Sequence, residues 1–265
     1  MINLLKFILF NSKLIFKSLL VYRSATILKL VTSIFLIFIY IFLWRGIYGE
    51  RTVLNGRTLE DIILFIIILR IIRQIYPLHI AGTYGNFIKN GTISTYLLKP
   101  ISIEIRLFSQ SLGLAMHNMI FIGLPSLITL LFLNYLPNIS VYIFLVSLIW
   151  FSSAFIFLFL FELNIGVIGY YTTSLWGINS FKIAIISFLA GELIPLSFYP
   201  TSVLNLIYYL PFRAVYYIPI SLLVGNDISD INISFILLWI FNIFLFAIYY
   251  YNSKRMIKKI MIQGG

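Results

Sequence analysis

Cysteine is absent from the 265 residues. That excludes disulfides and thiolate metal centres, and it removes the usual clue to redox compartment. Histidine is almost absent as well: His79 and His117 are the two, and neither has a second ligand at helical spacing. Charged residues make up 10% of the chain, where soluble domains carry about 25%. No G-x-x-x-x-G-K-[ST], H-E-x-x-H or G-x-S-x-G occurs. The chain therefore has no P-loop of its own, and no catalytic acid, base, nucleophile or metal set is visible. It does not read as an enzyme.

What is abundant is apolar surface. Hydrophobic residues make up 61%, against about 45–50% in soluble domains, and the mean hydropathy is +1.03. A water-soluble core cannot absorb that much, so the sequence reads as an all-α integral membrane protein. A spanning helix needs about 20 mostly apolar residues. Six segments of one membrane domain are expected to span: 27–48, 59–79, 107–133, 141–168, 182–198 and 234–251. The third and fourth are long enough to tilt or bend, and Pro125 offers a bend in the third. The fifth is the shortest, closed by Pro195 and Pro200.

A net charge of +11 would suggest nucleic acid in a soluble protein; in a membrane protein the placement of charge matters more. With a cytoplasmic N-terminus, the inner side holds Lys6, Lys13, Lys17, Arg23, Lys29, Lys89, Lys99, Arg106, Lys182, Lys254, Arg255, Lys258 and Lys259. The outer side holds Arg45, Arg51, Arg57 and Arg213. Thirteen against four is a positive-inside bias that places both termini in the cytoplasm and leaves no nucleic acid partner to expect.

Residues 1–25 are interrupted by Lys6, Lys13 and Lys17, and no small-residue cleavage site follows, so a cleavable signal is not expected. The three lysines fall within about 40° of one another on a helix. Such a basic stripe beside an apolar surface describes a helix lying in the inner membrane interface; a frayed basic tail is the alternative.

A polar island, "NFIKNGTISTYLLKPIS" over 86–102, separates the second and third spans. Gly82, Gly85 and Gly91 punctuate this connection and Pro100 ends it. A short helix over 84–90 is expected to need a surface to dock on, since it is too short to be stable alone in water. An ordinary solvated loop, kept basic for topology, is the alternative. On the other side, 199–233 carries Pro200, Pro211 and Pro219 and the pairs Tyr208–Tyr209 and Tyr216–Tyr217. It is too broken to span, and reads as one or two short re-entrant helices at the outer headgroup boundary.

Four charges fall within spans and are functional candidates. Arg70 and Arg73 share one face of the second span, Glu162 lies toward the inner end of the fourth, and Glu192 toward the outer, wetter end of the fifth. A pair between Arg70 or Arg73 and Glu162 would neutralise the costliest burial. Snorkelling to the inner headgroups is the alternative, favoured for Arg73. No proton or sodium relay and no inverted repeat emerges.

Three stretches together resemble the permease subunits of ABC transporters of the type-2 exporter class. "FIKNGTISTYLLKPIS" is similar to their segment after the second span, where a short helix and glycine precede an LL-[KR]-P run. "LAGELIPLSFYP" is similar to the end of their fifth span, and "YYLPFRAVYYIPISLLVG" to the segment leading into the sixth. Their aromatic–tryptophan pair after the fourth span has only "YYTTSLW" as a counterpart.

The resemblance implies a bacterial plasma-membrane exporter, working with a second permease, identical or a sister chain, and with two cytoplasmic ATPase subunits that bind ATP and magnesium. The island would include the helix that couples to the ATPase. The coupling loop would comprise Asn86, Phe87, Ile88, Lys89, Asn90 and Gly91, with Lys89 and Asn90 as polar contacts and Phe87 and Ile88 as apolar anchor. Pro195, Pro200, Pro211, Phe212 and Pro219 would frame the outer re-entrant segment, and an amphipathic or hydrophobic cargo would pass along the permease seam. A stand-alone membrane protein, such as a secondary carrier or peptide-immunity factor, is the competing reading.

Overall fold

In the computed structural model, residues 3–132, 139–172, 174–225 and 230–263 are described. The first helix, α1 (Leu4–Leu19), is capped by the Asn3 side chain, and the next, α2 (Arg23–Tyr48), follows almost at once. A two-residue turn, Asn55–Gly56, then closes a small hairpin of β1 (Val53–Leu54) and β2 (Arg57–Thr58). Both turn residues have positive φ, which Asn-Gly tolerates better than any other pair. Thr58 and Asp61 form a reciprocal capping box at the start of α3 (Leu59–Ile75).

Pro77 stops α3. Tyr76 before it is extended, as a residue preceding proline must be, and the chain resumes as α4 (Ile80–Lys89) and α5 (Ile93–Leu97). The helix expected over 84–90 thus begins four residues earlier.

The third span is α6 (Ile103–Asn118), a π-helical turn over Met119–Gly123, and α7 (Leu124–Phe132). The irregularity precedes Pro125 rather than sitting on it. In a continuous α-helix the proline ring would strike the carbonyl four residues back. The π turn shifts the register instead, so that the Leu124 N–H donates to the Met119 carbonyl. The fourth span, α8 (Val141–Ile168), has the expected bounds.

The fifth does not. Helix α9 (Trp176–Leu189) starts six residues before the expected 182 and stops nine before 198. Its 14 residues rise about 21 Å, short of a hydrocarbon core of about 30 Å. A 3-10 turn over Leu196–Phe198, α10 (Thr201–Tyr208), a second 3-10 turn over Pro211–Ala214 and α11 (Tyr217–Leu223) complete the segment. The two halves of this broken pair meet at 84°. Last comes α12 (Ile231–Gln263), which runs well past the expected end at 251.

Among the described residues five helices are long and apolar enough to cross a membrane, or six when the bent pair counts as one span. The chain is a multi-pass helical membrane protein. Its main core joins α3, α8 and α11 with residues of α9 and α12. A second cluster gathers around α4 at the other end, from Tyr84 and Ile88 to Tyr249 and Met256. Helices α2 and α12 bury only a sixth of their most apolar window, so most of their apolar surface faces outward.

Candidate functional site

The polar island forms an elbow. One face of α4 (Ile80, Ala81, Tyr84, Gly85 and Ile88) is buried against α8. The approach is close: a Cβ on Gly166 would lie 2.8 Å from the Tyr84 ring. The Tyr84 hydroxyl meets that of Tyr249 at 3.1 Å, and Tyr249 donates to Glu104 at 2.5 Å. Gly91, with φ of 70°, turns the chain out of α4.

Asn86, Lys89, Asn90 and Gly91 are exposed. Ile88 is not: it belongs to the chain's own core, and Phe87 packs on the Tyr96 ring at 4.9 Å. The apolar anchor read from sequence is therefore corrected. At this elbow the most exposed large apolar side chain is Leu98, at 89%, followed by Lys99.

Beneath the elbow lie the intramembrane charges, and their pairing differs from expectation. Glu162, fully buried, forms an ion pair with Lys182, not with Arg70 or Arg73. Its second oxygen accepts the Ala81 N–H at 2.7 Å, placing a carboxylate at the positive end of α4. Lys182 also donates to the Leu78 carbonyl at 3.3 Å and the Asn179 side chain at 3.2 Å. One carboxylate and one ammonium thus tie together the Pro77 break, α4, α8 and α9. An inner-loop position for Lys182 follows only from a fifth helix that begins at that residue. Starting the helix at Trp176 puts it on a buried face instead. The readable signal was a lone lysine inside an apolar run, three residues after Asn179.

Arg73 pairs with Glu192 at 2.7 Å. Glu192 is buried, not wetted at an outer end, because α9 stops early and leaves it beside the last turn of α3. Its carboxylate also accepts the Ser187 hydroxyl at 2.9 Å. Arg70 is buried too, with its guanidinium over the Tyr40 ring at 4.4 Å.

The lysine stripe Lys6, Lys13 and Lys17 is exposed along α1. The opposite face docks on α6, where Ser12 donates to the Ser109 carbonyl at 2.8 Å and Asn11 to the Ser109 hydroxyl at 2.5 Å. A Cβ on Gly113 would lie 2.5 Å from the Ser12 carbonyl, so glycine permits the contact.

In the broken segment after α9, Pro195 and Pro200 precede the first 3-10 turn and α10. Pro211 starts the second 3-10 turn, and Pro219 lies in α11. Phe212 packs edge-on against Phe157 and Phe161, each at 5.7 Å. Arg57 donates to the Tyr217 hydroxyl at 3.4 Å and Trp44 packs on Phe198 at 4.9 Å, which brings this segment beside the β-hairpin. Among the described residues no cluster of three metal-ligating side chains occurs.

A bundle of membrane-crossing helices, a basic elbow between two of them and a broken helical segment at the opposite end define a transport-type membrane domain. The family model described as ABC-2 family transporter protein matches residues 34–264. The chain belongs to that family and is a permease subunit of an ABC transporter. A comparison with curated protein sequences finds no match.

Proposed function

We propose that this permease exports an amphipathic or hydrophobic cargo, driven by ATP hydrolysis in separate subunits. Two cytoplasmic ATPase subunits would bind ATP and magnesium, and a second permease, identical or a sister chain, would complete the path. The termini would lie in the cytoplasm of a bacterial cell, with the elbow on the same side. The supporting observation is the elbow itself. Its inner face is locked to α8 through Glu162 and Tyr84, while Asn86, Lys89, Asn90 and Leu98 are exposed. A push on that outer surface would pass through α4 to α8 and, through Lys182, to α9.

Purification from the native host tests this reading. An ABC ATPase is expected to accompany the chain, and Leu98→Glu with Lys89→Glu is expected to lower transport-stimulated ATP turnover without loss of insertion. Full turnover and transport in that variant would move the contact elsewhere, and purification with no ATPase would favour a stand-alone carrier.

A further inference from the structure

A cavity of about 220 Å³ opens between α2 and α3. Its polar lining is one-sided in charge: Lys29, Thr32 and Ser33 from α2, and Arg70 and Gln74 from α3, with no acidic residue. Arg70 is 8% exposed and Ser33 3%. The Arg70 Nε and the Ser33 hydroxyl have no hydrogen-bond partner among the described residues. Arg70 also lacks a carboxylate within ion-pair distance among them, whereas Arg73, one turn along the same helix, has Glu192. Tyr40 satisfies the face of the guanidinium but none of its N–H groups. Buried polar groups are ordinarily paired, and an unpaired cation inside a membrane protein is a functional candidate by default.

The chemistry of the lining selects the ligand. A buried guanidinium, an ammonium and a hydroxyl converging on one cavity suit a tetrahedral, multiply accepting anion. The walls select its carrier. Leu28 and Leu36 line the cavity, and along the same stretch of α2 Leu28, Val31 and Phe35 are 67%, 57% and 64% exposed. A free anion would meet an apolar barrier there, whereas an amphiphile could rest its chains on α2 and deliver its headgroup between the helices. Basic pockets between spanning helices hold lipid headgroups in this way.

We infer that the α2–α3 cleft binds the phosphate headgroup of an acidic amphiphile, with Arg70 as the inner cation and Lys29 at the mouth. This inference does not rest on ATP-driven export.

Native mass spectrometry of the purified full chain in neutral detergent tests it, with phosphatidylglycerol, phosphatidylcholine and inorganic phosphate as separate probes. Phosphatidylglycerol is expected to bind more tightly than phosphatidylcholine. Its tightest site should weaken roughly tenfold in Lys29→Gln and in Arg70→Gln, the factor for losing one charge-assisted hydrogen bond. Arg70→Lys should recover part of the loss, and Arg51→Gln, a change in an exposed cation outside the cleft, should leave the site intact. Because Lys29 is exposed, Lys29→Gln keeps the test valid if Arg70→Gln fails to fold. Unchanged phosphatidylglycerol affinity in Lys29→Gln and the folded Arg70 variants would overturn the site. Equal binding of the two lipids, or displacement of the lipid by millimolar phosphate, would overturn the acidic-amphiphile assignment.

Discussion

Glu192 and Arg73 meet at 2.7 Å in the interior of the bundle, and the meeting is set by how α9 ends. Gly191 has φ of 74°, the Glu192 N–H donates to the Ser187 carbonyl, and the Gly191 N–H donates to the Phe188 carbonyl. This is a Schellman ending, which caps carbonyls that lipid could not satisfy. It leaves an acidic residue at the negative end of a helix, an unfavourable place on its own. The Arg73 guanidinium offsets both the carboxylate and the helix end. Arg73→Gln is therefore expected to destabilise the protein. The loss should exceed the about 1 kcal/mol of an exposed pair and stay below the about 3–5 kcal/mol of a fully buried one, because Arg73 is a third exposed. Thermal unfolding in detergent measures it, and Arg73→Gln with Glu192→Gln should lose less than the sum of the single changes.

Gly191 itself should be intolerant. A side chain there requires a left-handed backbone and would bring Cβ within 2.9 Å of Leu196. Gly191→Ala is expected to cost about 1–3 kcal/mol from the backbone alone. Gly177, in the first turn of α9 with open space around its Cβ position, should accept alanine at no cost. Equal thermal midpoints for the two variants would contradict the capping account.

Glu162 and Lys182 should behave as one unit. Each is buried, and breaking such a pair from one side costs about 3–5 kcal/mol because the survivor is left charged and unpaired. Glu162→Gln and Lys182→Met should each destabilise strongly, and the double variant should recover much of the loss. Arg70→Gln combined with Glu162→Gln should instead be additive, since these two do not pair in the structure. A double-mutant cycle read by thermal unfolding distinguishes the partners.

The seam between α1 and α6 offers a separate test. Gly113→Val would push a side chain into the Ser12 carbonyl and Ile15, neither of which can swing away cheaply. Faster amide exchange over Leu4–Leu19, with α8 unchanged, is the expected result. Lys6→Glu, Lys13→Glu and Lys17→Glu together should leave that exchange unchanged. They should weaken attachment to anionic vesicles by about 1 kcal/mol for each basic residue lost near the surface.

A chain without cysteine also allows topology to be measured directly. Single cysteines at Asn55, in the hairpin turn, and at Asn90, in the elbow, should react with an impermeant thiol reagent from opposite sides. The proposed orientation predicts labelling of Asn55→Cys from outside and protection of Asn90→Cys. The reverse pattern would invert the proposed transport direction.

Sequence alone determined the membrane character, the largely helical build with several apolar helices long enough to cross a membrane, and the helix over the first 20 residues with its exposed lysine stripe. These follow from local apolar length and from the angular placement of three lysines, which neighbours do not alter. It also brought out the polar island and the broken segment after α9, because glycine and proline act on their own backbone.

Tertiary structure decided how the buried charges pair. Arg70, Arg73, Glu162, Lys182 and Glu192 come from distant parts of the chain, and their depth depends on where α9 begins and ends. That helix is shorter than a span, so hydropathy, which assumes a full crossing, misplaced both Lys182 and Glu192. The inward turn of Ile88 was likewise illegible, since it depends on Gly166 admitting Tyr84 against α8. Periodicity can assign a residue to a helix face, but only packing chooses whether that face meets lipid, a partner or the chain's own core.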